Sequence, residues 1–483
     1  VPEFINFANR QNRFLSLNDV SHDYLQEIKN KTKSDPYYPV YHIAPHHGLL
    51  NDPNGLSFYN GRYHIFYQWF PLGPVHGLKY WYHVSTSNFI DFKDHGVALK
   101  PDQPFDSHGC FSGCAITEED ELHLYYTGNR VTEENEVHQS QVYAKLKADG
   151  QLADKKVIVE TPPKGFSEDF RDPFVFVKNR TYFMLVGGRQ TNGEGGIALF
   201  EGEDKENLTY KGTLNTNFNG VGHMWECPNY FEHKEKGIVI FSPQGQLPKD
   251  KYHFNNVFSV VYAIGDCFDF DDVRFNAEKY HELDKGFDFY APQIFEDDKS
   301  RHILIGWLGN SKNSYPTDEN MWAHMLTIPR EILIESGRLV QKPLKELVDL
   351  RGEAVSVRGE HRLHTQSFEL EVNADPHFEM VFMNNDGDYV TFSSSNEEYC
   401  LDRTHMTEVY AVSYGTKRYA MRKVKNAHII RIFIDRSSLE IFCDNGETVF
   451  TSRIFIKNLT TLKTSGVTGD LYNLKPIHLS EKN

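Results

Sequence analysis

The chain has 483 residues and carries 51 Lys and Arg against 67 Asp and Glu, a formal net charge of -16. Such a length accommodates two or three domains with ample core, and the acidic balance disfavours nucleic acid or an anionic membrane surface as a partner. No apolar run of about 18 residues and no basic-then-apolar start is present, so neither a transmembrane helix nor a signal peptide is expected.

Residues 13–32 place Val20, Tyr24, Leu25 and Ile28 at helical spacing, with Asp19 or Ser21 as a cap and Asp35-Pro36 as a stop. A short helical extension over 1–36 is predicted. From residue 37 a strand–turn–strand unit recurs. Asn51-Asp52-Pro53-Asn54-Gly55 opens the first, with a turn at Asn60-Gly61-Arg62 and a strand to Gln68. Arg171-Asp172-Pro173 and Glu226-Cys227-Pro228 open two similar units, turning at 178–180 and 232–236. Two acid-free copies begin at Phe111-Ser112-Gly113 and Tyr290-Ala291-Pro292. Five units at a period of roughly 55–65 residues predict a β-propeller over 37–340.

Residues 341–352 read as a linker with a short helix. From 353 to 483 short alternating strands with tight turns, among them 367–372, 378–382, 429–434 and 439–443, predict an antiparallel β-sandwich. The fold class is therefore all-β. The acidic motifs do not recur in this second domain, which marks it as structural.

Each acidic motif alone is ordinary turn or surface chemistry. Their shared place at the start of successive units changes that, because the innermost strands of a propeller line its axis and bring equivalent positions together. Cleaving a glycosidic bond needs a carboxylate at the anomeric carbon and a protonated acid at the leaving oxygen. Asp52, among Asn51, Asn54 and Gly55, is expected to be charged. Glu226, between Trp225 and Cys227, is expected in a less polar setting that raises its pKa. Asp172 follows Arg171, whose charge is expected to keep it ionised.

Six cysteines are scattered without metal-ligand spacing, at a density too low for a disulfide scaffold, so reduced thiols in a cytoplasm are expected. His42, His46 and His47 lack the helical spacing of a metal site. Neither a metal nor a cofactor is expected.

With these motifs the chain is similar to glycoside hydrolase family 32, the invertase and β-fructosidase family, over nearly its whole length. Asp435-Arg436-Ser437-Ser438-Leu439-Glu440 marks the family's C-terminal sandwich. The resemblance implies Asp52 as nucleophile, Asp172 as transition-state stabiliser and Glu226 as acid/base in a retaining mechanism through a fructosyl–Asp52 intermediate. It also implies substrate contacts from Asn51, Gln68, Trp81, Phe111, Ser112, Arg171, Cys227 and Trp307.

Where many relatives have Trp, this chain has Leu49-Leu50 before the opening Asn, and His76. Cys114 stands where Ser is common. Together with Tyr41-His-Ile-Ala-Pro45 and His76-Gly-Leu-Lys79, these features resemble the bacterial branch whose cytoplasmic members split sucrose 6-phosphate. The alternative is a β-fructosidase for plain sucrose, fructo-oligosaccharides or short fructans. Candidate phosphate ligands are Lys79, His76, His46, Arg189 and Lys312. The only partner implied is a small sugar.

Overall fold

The computed structural model describes residues 3–310, 312–395 and 397–481. The molecule is all-β, with a propeller-like arrangement followed by a C-terminal sandwich-like sheet. Successive antiparallel sheets start at the strands Gly48–Tyr59, Cys110–Glu118, Phe166–Lys178, Met224–His233 and Tyr290–Glu296. These opening strands touch one another in a closed cycle, the first meeting the last, and so form the axis.

The first hairpin of four of these sheets closes over two residues, pairing Tyr59 with Arg62, Glu118 with Glu121, Lys178 with Thr181 and His233 with Lys236. Both loop residues have positive φ in each case: Asn60 and Gly61, Glu119 and Asp120, Asn179 and Arg180, Lys234 and Glu235. This backbone matches the right-handed twist of the flanking strands. The ring is sealed where Gly48 and Leu49 pair in parallel with Trp322 and Ala323.

The N-terminal region departs from a single helix over 13–32. Residues Arg10–Phe14 and Leu17–Asp19 form 3-10 turns, and the α-helix spans His22–Lys33. Ser16 and Asp19 satisfy each other's ends in a capping box, which closes the turn before the helix starts. Ser21 then accepts from the Tyr24 amide, and Tyr24, Ile28 and Thr32 are buried against the body. The predicted linker helix is a 3-10 segment, Lys345–Leu350.

In the C-terminal region the long strand Ser367–Met383 pairs with Thr461–Leu474 along most of its length. Its first half also pairs with His428–Asp435 and its second half with Tyr389–Ser395. Alternate residues Phe368, Leu370 and Val372 face a core with Ile430, Ile432 and Ile434. This region is fastened to the propeller-like part by a buried polar seam. Asp435 accepts from the amides of Val40, Tyr41 and His42, and His42 bridges Asp435 (2.8 Å) and Glu440 (2.5 Å).

Candidate active site

Every axial strand carries one extra residue at or beside its motif. The register slips between Leu50 and Pro53, Cys110 and Gly113, Arg171 and Phe174, Glu226 and Asn229, and Tyr290 and Gln293. Such a bulge re-aims side chains, so two consecutive residues can serve one site. Asp172, Cys227 and Ala291 adopt positive φ there (71°, 48° and 49°). Counted from the last paired residue before each slip, Glu226 stands at that residue with Arg171 and Tyr290, Asp172 stands one beyond it with Cys227 and Ala291, and Asp52 stands two beyond it with Ser112. The three acids therefore occupy three successive positions of the bulge.

Asp52 and Asp172 come together, both buried. Ser112 donates to Asp52 Oδ2 at 2.5 Å, and the Cys227 thiol lies 3.5 Å from Asp52 Oδ2 and from Asp172 Oδ2. The Cys227 amide donates to Asp172 Oδ2 at 3.0 Å, and Thr127 Oγ1 accepts from the Asp172 amide at 2.9 Å. The ligand atoms of Asp52, Asp172 and Cys227 lie within 4.8 Å of one another, a donor set a cation could occupy among the described residues. His42, His46 and His47 do not converge: they bond to Asp435 and Glu440, to Asp94, and to the Pro71 carbonyl. All six cysteines are unpaired.

Glu226 departs from its expected surroundings. It receives Arg171 Nε at 3.0 Å and Tyr290 OH at 2.6 Å. Its apolar sequence neighbours point elsewhere, Trp225 stacking on Phe241 at 4.2 Å. The electrostatics of Asp172 also depart from expectation. Burial and the charge of Glu226 push its pKa up to about 7, and Arg171 only partly offsets this. The guanidinium serves Glu226 rather than Asp172. Asp52 is raised too, by burial first, with Ser112 opposing and Glu226 adding.

A cavity of about 850 Å³ opens over these acids. Its wall includes Asn51, Gln68, His76, Lys79, Phe111 and Trp307. Lys79 Nζ donates to Asn51 Oδ1 at 2.6 Å, while Asn51 Nδ2 donates to Gln68 Oε1 at 2.6 Å and reaches Asp52 Oδ1 at 3.2 Å. This chain orients both amides and leaves the Gln68 amino group free for a ligand oxygen. Burial lowers Lys79 to about 7, against the pull of Asp52. Its other contact is His76 Nδ1 at 2.9 Å, which leaves His76 Nε2 as the second ring nitrogen. That atom and Trp307 Nε1 are buried without a hydrogen-bond partner, and such groups ordinarily have one.

Trp81 does not line the cavity. It is fully buried and holds the Phe111 carbonyl through Nε1 at 2.9 Å. Ser112 and Cys227 contact the acids from a smaller space lined by Pro53, Pro173 and Pro228. Of the proposed phosphate ligands, Lys79 and His76 belong to the cavity wall. His46 is bonded to Asp94 at 2.6 Å, and Arg189 and Lys312 are exposed outside the wall. Sequence reasoning overlooked Tyr290, Gln139 and the arginines of the first 3-10 turn. Tyr290 was legible: aligning the five motifs on the residue after the bulge places it level with Glu226.

Comparison with known proteins matches residues 42–343 to the model of the glycosyl hydrolases family 32 N-terminal domain and 339–475 to that of the family 32 C-terminal domain. The chain is 40% identical over 460 residues to a sucrose-6-phosphate hydrolase of Vibrio alginolyticus, covering 95% of this chain and 94% of that protein. It is 36% identical to one from Staphylococcus xylosus, covering 96% of each. Among solved structures it resembles a sucrose-6-phosphate hydrolase from Lactobacillus gasseri (TM-score 0.93, 29% identity, 97% and 99% coverage). It also resembles a β-fructofuranosidase of Bombyx mori (TM-score 0.83, 30% identity, 97% and 100% coverage).

Proposed function

The chain belongs to glycosyl hydrolase family 32, and from this membership we propose that it is a retaining β-fructofuranosidase hydrolysing sucrose 6-phosphate to glucose 6-phosphate and fructose. Plain sucrose is a slower substrate on this reading. The five sheets are blades of one propeller spanning 37–340, preceded by the extension of 1–36, joined by 341–352 to the sandwich of 353–483. A phosphorylated disaccharide does not cross a bilayer unaided, so the reading carries a cytoplasmic location with it.

The observation that carries the chemistry is that Asp52 and Asp172 are buried together around Cys227, whereas Glu226 is less buried and is held by Arg171 and Tyr290. Two acids at the floor meet the fructosyl ring, and the third stands outward of them, where the leaving oxygen emerges. Asp52, aligned by Ser112 and Asn51, attacks the anomeric carbon and breaks its bond to the glucosyl oxygen, which takes a proton from Glu226. Asp172, held by the Cys227 amide, accepts from ring hydroxyls and stabilises the oxocarbenium-like charge. Glu226 then draws a proton from water, which displaces Asp52 and returns the site to its starting state.

Three carboxylates in one dry site disfavour full ionisation, so the cluster retains a proton near neutral pH. Tyr290 and Arg171 set the Glu226 carboxyl in place. His76 Nε2, Trp307 Nε1 and the Gln68 amino group supply donors for sugar hydroxyls.

The decisive test is Glu226→Gln. Turnover of sucrose and its 6-phosphate should fall about 10²–10⁴-fold with loss of the basic limb of the pH profile. Substrates with good leaving groups should keep far more activity. A variant with the wild-type basic limb would exclude Glu226 as the acid.

A further inference from the structure

We propose that Arg10 and Arg13, on the 3-10 turn that precedes the propeller, form the phosphate-recognition wall of the cavity. The proposal rests on sucrose 6-phosphate being the substrate and names the side chains that distinguish it from sucrose. The fructosyl unit occupies the floor, so the phosphoglucosyl half extends toward the mouth. A phosphate dianion approaching a chain of net charge -16, above three carboxylates, needs local cations.

The cations lining the cavity can be taken in turn. Arg171 is committed to Glu226 and Asp169. Lys79 is buried at the floor and bonded to Asn51 and His76. His76 is held neutral by burial and by Lys79. His108 is pushed below its usual value by burial and Arg130, and its Nδ1 accepts from the Val131 amide at 3.2 Å. Arg10 and Arg13 remain. Both line the cavity, and neither forms an ion pair with a carboxylate among the described residues. Arg13 spends only Nε, on the Phe7 carbonyl at 3.1 Å. Its two terminal nitrogens are left for a bidentate contact with phosphate oxygens.

The turn that carries them is seated against the cavity wall. The Leu78 amide donates to the Arg13 carbonyl at 2.7 Å. A Cβ on Gly77 would lie 2.5 Å from that carbonyl oxygen, and one on Gly73 would lie 2.2 Å from the Phe7 ring. The close approach of the turn therefore depends on two glycines in the stretch that also presents His76 and Lys79. Phe14 stands edge-on to His108 at 5.0 Å and joins the turn to the opposite rim. The N-terminal extension thereby becomes part of the substrate site.

The test compares kcat/KM on sucrose 6-phosphate and on sucrose for wild type, Arg10→Gln, Arg13→Gln and the double variant. Arg180→Gln removes the same charge from a distant exposed turn as a control. The expected result is a fall of about tenfold to a hundredfold in the ratio of the two substrates for the double variant, expressed in KM. Glucose 6-phosphate should weaken as a product inhibitor by a similar factor, and Arg13→Lys should recover part of the loss. A double variant with the wild-type ratio overturns the assignment of the two arginines while leaving the substrate intact. A wild-type enzyme that shows no preference for the phosphorylated sugar overturns the substrate reading and this proposal together. Arg10 is exposed, so its single variant reports even if Arg13→Gln disturbs the turn.

Discussion

Buried carboxylates gather both at the seam between the two regions and at the active site, and the protein treats the two groups differently. At the seam, burial alone would raise Asp435, Glu440 and Asp288, yet all three are held below the usual carboxylate range, while Asp284 beside Arg330 and Thr451 is pushed up to about 6 by burial. His42 and three backbone amides serve Asp435. His42 and Arg330 serve Glu440. Arg403, Tyr315, Tyr410 and the Arg453 amide serve Asp288. At the active site the same burial prevails, because the donors are fewer and the nearest charges are other carboxylates. The seam satisfies these three charges and so contributes specificity and cohesion. The site leaves its charges under-compensated, which keeps a proton available for chemistry at the expense of stability.

The comparison can be broken by substitution. Asp52→Asn should reduce turnover by about 10⁴-fold or more while the protein stays folded, as judged by circular dichroism and thermal melting. Retention of substantial activity would remove Asp52 from the reaction. Asp435→Asn should do the reverse, destabilising the fold by about 3–5 kcal/mol in urea titration because His42 and its amides lose their anion. The kcat of the molecules that remain folded should change little. A seam variant as stable as wild type would show that the ion cluster is not what fastens the two regions.

The smallest effect is also the sharpest. Asp172 has a folded pKa near 7 against an ordinary 3.8. Its favourable contribution is therefore complete below pH 3.8 and is lost as pH rises through 7. Asp172→Asn should consequently be more stable than wild type by about 1 kcal/mol or more at pH 8, with the gain vanishing near pH 4, even as its turnover falls. A constant difference across that range would mean that Asp172 is not strained by its neighbours.

Much of this was legible in the chain. The hairpin turns at Asn60-Gly61 and Asn179-Arg180 announce themselves by residue type, and the recurring acid–proline motifs mark the axial strands. The alternation in 367–372 and 429–434 marks the C-terminal strands. The environment of Glu226 was not legible. In a strand, sequence neighbours such as Trp225 point away from the residue they flank, and the true neighbours, Arg171 and Tyr290, come from other sheets. Trp81 was misplaced for a related reason, since a motif does not say whether an aromatic ring faces the cavity or stands behind the residue that does.

By itself, then, the sequence determined the all-β character, the repeated units, the three acidic motifs and the family, because those depend on local periodicity and residue type. Only the tertiary structure decided which level of the axis each acid occupies, which cation each meets and that the N-terminal turn reaches the cavity. Those outcomes depend on bulges that shift register by one residue and on contacts between segments hundreds of residues apart, such as His42 with Glu440. Charge and burial are properties of the assembled neighbourhood, and no window of the chain contains it.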